Sequence, residues 1–84
     1  MAMGDRKGRA NFRVTTSEYR VGAEWRSTAY ILRAPHDSLV DWIVDAGRSE
    51  DLYWARLQAT TIGRRRADEL ERIYASVYAD DASE

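Results

Sequence analysis

The run Ile31-Leu32-Arg33-Ala34-Pro35-His36-Asp37-Ser38-Leu39-Val40-Asp41-Trp42-Ile43-Val44-Asp45-Ala46-Gly47 decides the fold, because the hydrophobic period changes at Pro35. Before it, Asn11 to Arg33 is rich in β-branched and aromatic residues around Gly22. After it, Ser38 to Ala79 carries helical spacing with helix formers and few breakers. This contrast predicts an α+β fold, an N-terminal antiparallel β-hairpin packed against two or three C-terminal α-helices (ββααα).

Upstream of Pro35, Phe12, Val14 and Thr16 alternate with Arg13, Thr15 and Ser17, the pattern of a half-buried strand. Tyr19 and Val21 fall on the other parity, so a bulge near Thr16 to Glu18 is expected. Val21-Gly22-Ala23-Glu24 reads as the turn. The return strand, Trp25 to Arg33, places Trp25, Ala29 and Ile31 on one face and Tyr30 and Leu32 on the other.

Downstream, Asp37 or Ser38 can cap a first helix over Ser38 to Ala46, which stops at Gly47. Ser49 caps a second helix, with Glu50 and Asp51 in its first turn, running to about Ile62. Thr60-Thr61-Ile62-Gly63 weakens it. A third helix, Ala67 to Ala79, aligns Leu70, Ile73, Tyr74 and Val77; a single helix continuing through Gly63 is the alternative. The expected core is Val14, Trp25, Ala29, Ile31, Leu39, Ile43, Leu52, Ile62, Leu70, Ile73 and Val77. Residues 1–10 read as a flexible basic arm, 11–79 as the domain and 80–84 as an acidic tail.

A chain of 84 residues buries roughly 60–65% of its unfolded surface, enough for one core and too little to enclose a deep pocket. Cysteine is absent, which excludes disulfides, thiolate zinc sites and cysteine nucleophiles. The N-terminus lacks the apolar stretch of a signal peptide, and no run approaches a membrane span. A cytoplasmic protein with no membrane partner is expected. Charge is unevenly spread: residues 1–35 hold seven basic and three acidic side chains, residues 36–84 six basic and eleven acidic. A basic front and an acidic back favour association with partners or with a second copy, so a homodimer is among the expected partners.

The chemistry-bearing groups do not assemble a catalytic set. His36 is the only histidine and sits at a turn beside Asp37. A general base needs a positioned partner and a pocket. The five glycines are scattered singly, so there is no phosphate-cradling loop. No enzyme activity, no cofactor and no metal site are expected. Asp37, Asp41 and Asp45, at i, i+4 and i+8, would form an acidic stripe on the first helix. Like charges so spaced repel, so the stripe calls for a compensating cation, from this chain or from a partner. Arg64, Arg65 and Arg66 form the only basic run, and Arg64–Asp68 and Arg65–Glu69 pairs at i, i+4 would neutralise much of it. On the second helix, Leu52, Ala55, Ala59 and Ile62 share one face while Tyr53, Trp54 and Leu57 occupy the other. A helix apolar nearly all round must be covered on both sides, either by this chain or by a partner.

The segment Ile31-Leu32-Arg33-Ala34-Pro35, a short helix, then Gly47-Arg48-Ser49 and a second helix resembles ribbon-helix-helix repressors and antitoxins. The likeness covers Ile31 to Ile62, with an additional strand ahead of the ribbon. It implies a dimer whose strands enter the DNA major groove. In that alternative, Arg26, Arg33, Arg64, Arg65 and Arg66, with arm residues Arg6, Lys7 and Arg9, supply nucleic-acid contacts. The pI near 5.8 runs against the basic excess usual in DNA-binding domains. The principal expectation is a small non-enzymatic protein-binding module, of the kind that phage and mobile elements use as inhibitors or adaptors. It would occupy a surface on a larger protein or complex through Asp37, Asp41, Asp45, Tyr53, Trp54 and Leu57.

Overall fold

A computed structural model describes residues 11–82. Three strands, β1 (Phe12–Val21), β2 (Glu24–Arg33) and β3 (Ser38–Ser49), are followed by one helix, α1 (Leu52–Ala82). The strands form an antiparallel sheet in the order β1-β2-β3, and α1 crosses one of its faces. The class is α+β, with one long helix in place of the two or three expected. The proposed arm, residues 1–10, lies outside the described residues. So do Ser83 and Glu84 of the proposed tail, while the helix itself continues past Ala79 to Ala82.

The hairpin forms as its sequence dictates. Gly22 adopts φ of 62° in the two-residue turn Gly22-Ala23, a conformation that costs a residue without Cβ nothing. The β1–β2 register runs unbroken from Phe12↔Arg33 to Val21↔Glu24, so the bulge expected near Thr16 to Glu18 is absent. The irregularities lie in β3 instead. One places Val40 out of register between Leu39 and Asp41, and the other loops Val44, Asp45 and Ala46 against Thr28. Asp45 takes a positive φ there, which Asp tolerates better than most residues.

The expected first helix, Ser38 to Ala46, is strand β3. Spacing alone cannot separate the two states over so short an apolar run. Val40, Trp42, Ile43 and Val44 favour a pleated surface, and Asp41 and Asp45 would repel on a helix. Pairing with β2 then satisfies the backbone, which an isolated nine-residue helix could not do stably.

Helix α1 meets the sheet through small residues. Ala55, Ala59 and Ala67 are buried, and Gly63 is buried between them. A Cβ on Gly63 would lie 2.7 Å from the Val14 side chain. The Thr60-Thr61-Ile62-Gly63 stretch is therefore no break: Gly63 is the point of close approach, and the helix runs through it. Gly47 on β3 serves the same purpose, since a Cβ there would lie 1.9 Å from the Ala55 carbonyl oxygen. The helix starts two residues later than expected, at Leu52. Asp51 caps it, accepting from the Tyr53 and Trp54 amides at 2.8 and 3.3 Å, while the Ser49 hydroxyl accepts from the Asp51 amide.

The core gathers Ile31, Ala67 and Leu70, with Phe12, Val14 and Val40 packed around them. Full burial of Ile31 contributes roughly 2–3 kcal/mol. Four residues expected in the core stand exposed: Leu39, Ile62, Ile73 and Val77. Leu39 pairs with Leu32 on the sheet face away from the helix. Ile62 yields its inward place to Gly63. Val77 lies where α1, roughly 46 Å long, outruns strands of roughly 33 Å, and Ile73 sits in the last turn before that end. Phe12 and Tyr74 mark the end of that contact, edge to face at 5.3 Å.

Candidate protein-docking surfaces

The outer side of α1 inverts the usual pattern of a surface helix. From Ala55 to Ala67 its inner stripe is alanine and glycine, and the large apolar side chains of that stretch face out. Tyr53 is 74% exposed, Trp54 56% and Leu57 51%. Trp54, Leu57, Gln58, Thr61, Ile62 and Arg65 line one shallow groove of about 390 Å³. The three residues singled out from the sequence as a partner-facing patch therefore do share the outward side of the helix, although Tyr53 stands beside the groove and not in it. Arg56 lies 5.7 Å over the Tyr53 ring and reaches Glu18 on β1. Burial works against the charged form of Glu18. Hydrogen bonds involving Thr16 and Ser27 and the Arg56 charge outweigh it, and its carboxyl titrates below the usual range.

The acidic stripe does not exist as a surface. Because Ser38 to Ser49 is a strand, its three aspartates point to different places. Asp37 sits in the β2–β3 turn and accepts from Arg13 at 2.8 Å. Asp41 faces α1 and accepts from Arg66 at 2.7 Å. Asp45 lies on the opposite face of the sheet, where the Tyr19 hydroxyl and Arg26 donate to it. Each aspartate has its cation, or cation and phenol, within the chain. The Arg66 guanidinium holds the Asp41 carboxyl below its ordinary value, and the bond to Asp45 holds the Tyr19 phenol above its own.

Away from α1 the sheet is open. Leu32 pairs with Leu39, and Tyr30 with Trp42 and Thr15. Residues directly opposite one another point to the same face, so these side chains form one strip, extended by Val44. Trp42 is 54% exposed, and Leu39 and Val44 are similarly uncovered. The Arg13–Asp37 and Arg26–Asp45 pairs flank the strip and leave it electrically balanced. Sequence reading missed this surface because it assigned β3 to a helix. The available signal was the alternation of Trp42 and Val44 with Asp41 and Ile43; Val40 and Asp45 fall out of it at the two irregularities of β3.

The basic residues of the nucleic-acid alternative are likewise dispersed. Arg26 is on the open face, bonded to Glu24 and Asp45. Arg33 lies over the Tyr74 ring at 4.8 Å. Arg66 is bound to Asp41 and Glu69, and Arg6, Lys7 and Arg9 lie outside the described residues. With a strand where the ribbon-helix-helix pattern needs its first helix, that resemblance does not extend to the structure. Neither the Arg64–Asp68 nor the Arg65–Glu69 pair forms, and Glu69 pairs with Arg66 at 3.0 Å.

A second concavity, of about 500 Å³, lies at the β2–β3 turn and includes His36, Ser38, Arg33 and Tyr74. No carboxylate among the described residues lines it. Among the described residues no three His, Cys, Asp or Glu side chains cluster as metal ligands, and no helix is long and apolar enough to cross a membrane. Comparison with protein-family models, curated proteins and solved structures gives no match.

Proposed function

We propose that this chain is a non-enzymatic protein-binding module that lays the open face of its sheet on a larger partner. The observation that carries this reading is a two-layer fold with one layer uncovered: Trp42, Val44 and Leu39 stand in solvent beside Tyr30 and Leu32. A sheet face of this composition is ordinarily buried against another element. A contiguous apolar patch with aromatic anchors and a paired polar rim has the make-up of an interface. The flanking cations are already neutralised, which favours an apolar protein surface over a polyanion.

The test compares capture by the intact chain with capture by Trp42→Ala, alongside the melting temperature of each. A partner retained by the parent and lost by Trp42→Ala at unchanged melting temperature supports the reading. Equal retention by both, or retention lost only as folding is lost, refutes it. An aromatic anchor at an interface centre contributes about 2 kcal/mol or more, so the expected loss of affinity is at least about 30-fold.

A further inference from the structure

We infer that the outer groove of α1 is the contact between two copies of this chain, packed as an antiparallel helix pair. This goes beyond the sheet-face reading and uses the opposite side of the molecule. Charge is arranged about the groove in a self-complementary way. At one end stands Glu50, exposed and without a cation among the described residues. At the other stand Arg64 and Arg65, exposed and making no ion pair among the described residues, with Glu69 taken by Arg66. Between them lies an apolar stretch of roughly 20 Å along the helix, centred on Trp54, Leu57 and Ile62.

Acid, apolar, base is a self-complementary order. A two-fold axis by Leu57 and Gln58 brings Glu50 of each copy to Arg64 and Arg65 of the other. The same axis lays Trp54 over the other copy's Thr61 and Ile62. Two-fold interfaces are isologous, so one patch must carry both halves of every interaction, and this one does. A parallel arrangement would set the arginines against each other. Asp51 is occupied as the helix cap, so Glu50 is the acid that pairs across the axis. The paired stretch is short for a stable interface, and a dimer of micromolar affinity is expected.

Sedimentation velocity on the full chain over a concentration series tests this. The expected result is a monomer–dimer equilibrium that weakens with salt. Leu57→Asp should raise the dimer Kd by about tenfold or more. Glu50→Lys alone and the Arg64→Glu/Arg65→Glu pair should each weaken the dimer, and mixing the two variants should restore it, since both charge contacts are then opposite in sign. All these positions are exposed, and unchanged melting temperatures confirm that folding is intact. Three outcomes overturn the inference. One is a monomer at concentrations up to about 1 mM. Another is a dimer in which the mixed variants bind no better than either alone. The last is a dimer indifferent to Leu57→Asp but broken by Trp42→Asp, which would assign self-association to the sheet face.

Discussion

The two sides of α1 differ in a way that reverses the usual expectation for a surface helix. The side against the sheet is Ala55, Ala59, Gly63 and Ala67, and the side against solvent carries Tyr53, Trp54, Leu57 and Ile62. Hydrophobicity alone would turn the larger residues inward. Here the separation of the layers decides. Gly47 against the Ala55 backbone and Gly63 against Val14 bring helix and sheet so close that only small side chains fit between them. Size, not polarity, selects the buried face, and the large apolar residues are left for other contacts.

The sharpest way to break this comparison is to enlarge the contact. Gly47→Ala places a methyl group against the Ala55 backbone, which cannot swing aside as a side chain could. Overpacking typically costs 1–3 kcal/mol and occasionally more. A loss of about 3 kcal/mol or more is expected in urea unfolding followed by circular dichroism, and a parent-like midpoint would mean the layers are not so close. Ile31→Ala tests the core that this close approach seals, with an expected loss of about 3 kcal/mol for a fully buried side chain.

A paired substitution contrasts the two helix faces directly. Ala59→Leu, adding volume inside, should destabilise by about 2 kcal/mol. Leu57→Ala, removing volume outside, should change monomer stability by less than about 0.5 kcal/mol. Reversed signs in differential scanning calorimetry at low protein concentration would invert the assignment of faces. Asp51→Ala removes the cap and should cost about 1 kcal/mol, readable as a lowered denaturation midpoint.

The smallest effect concerns the polar tie between layers. Asp41 has a folded pKa below its ordinary value because Arg66 donates to its carboxylate. Its stabilising contribution is therefore complete above the unfolded carboxylate pKa of about 4 and is lost as pH falls through the lower folded value. Asp41→Asn should lower the melting temperature slightly at pH 7, and the difference from the parent should shrink towards pH 2. A pH-independent gap would mean that the pair contributes by packing and not by charge.

Much of the hairpin was legible in the sequence. The turn at Gly22, the inward set of Ala29 and Ile31, and the opposite-facing Tyr30 and Leu32 follow from parity and from the one glycine in the segment 11–33. So does the separation of Tyr53, Trp54 and Leu57 from Leu52, Ala55 and Ala59 around the helix. The third strand was not legible, because Leu39 to Val44 satisfies both helical and strand periods and only the neighbouring β2 supplies backbone partners that favour one. That error moved Asp37, Asp41 and Asp45 onto an imagined stripe and hid the face of Trp42.

What the sequence by itself determined is the local chemistry: which segments can pleat, where the chain must turn, and that no thiol is present. What only the tertiary structure decided is direction. Whether Gly63 breaks a helix or admits a strand, whether Ile62 lies inside or outside, and which acid each arginine finds all depend on how near two layers come. That distance is set by contacts between residues far apart in the chain, Gly47 with Ala55 and Val14 with Gly63, and a local pattern carries no record of it.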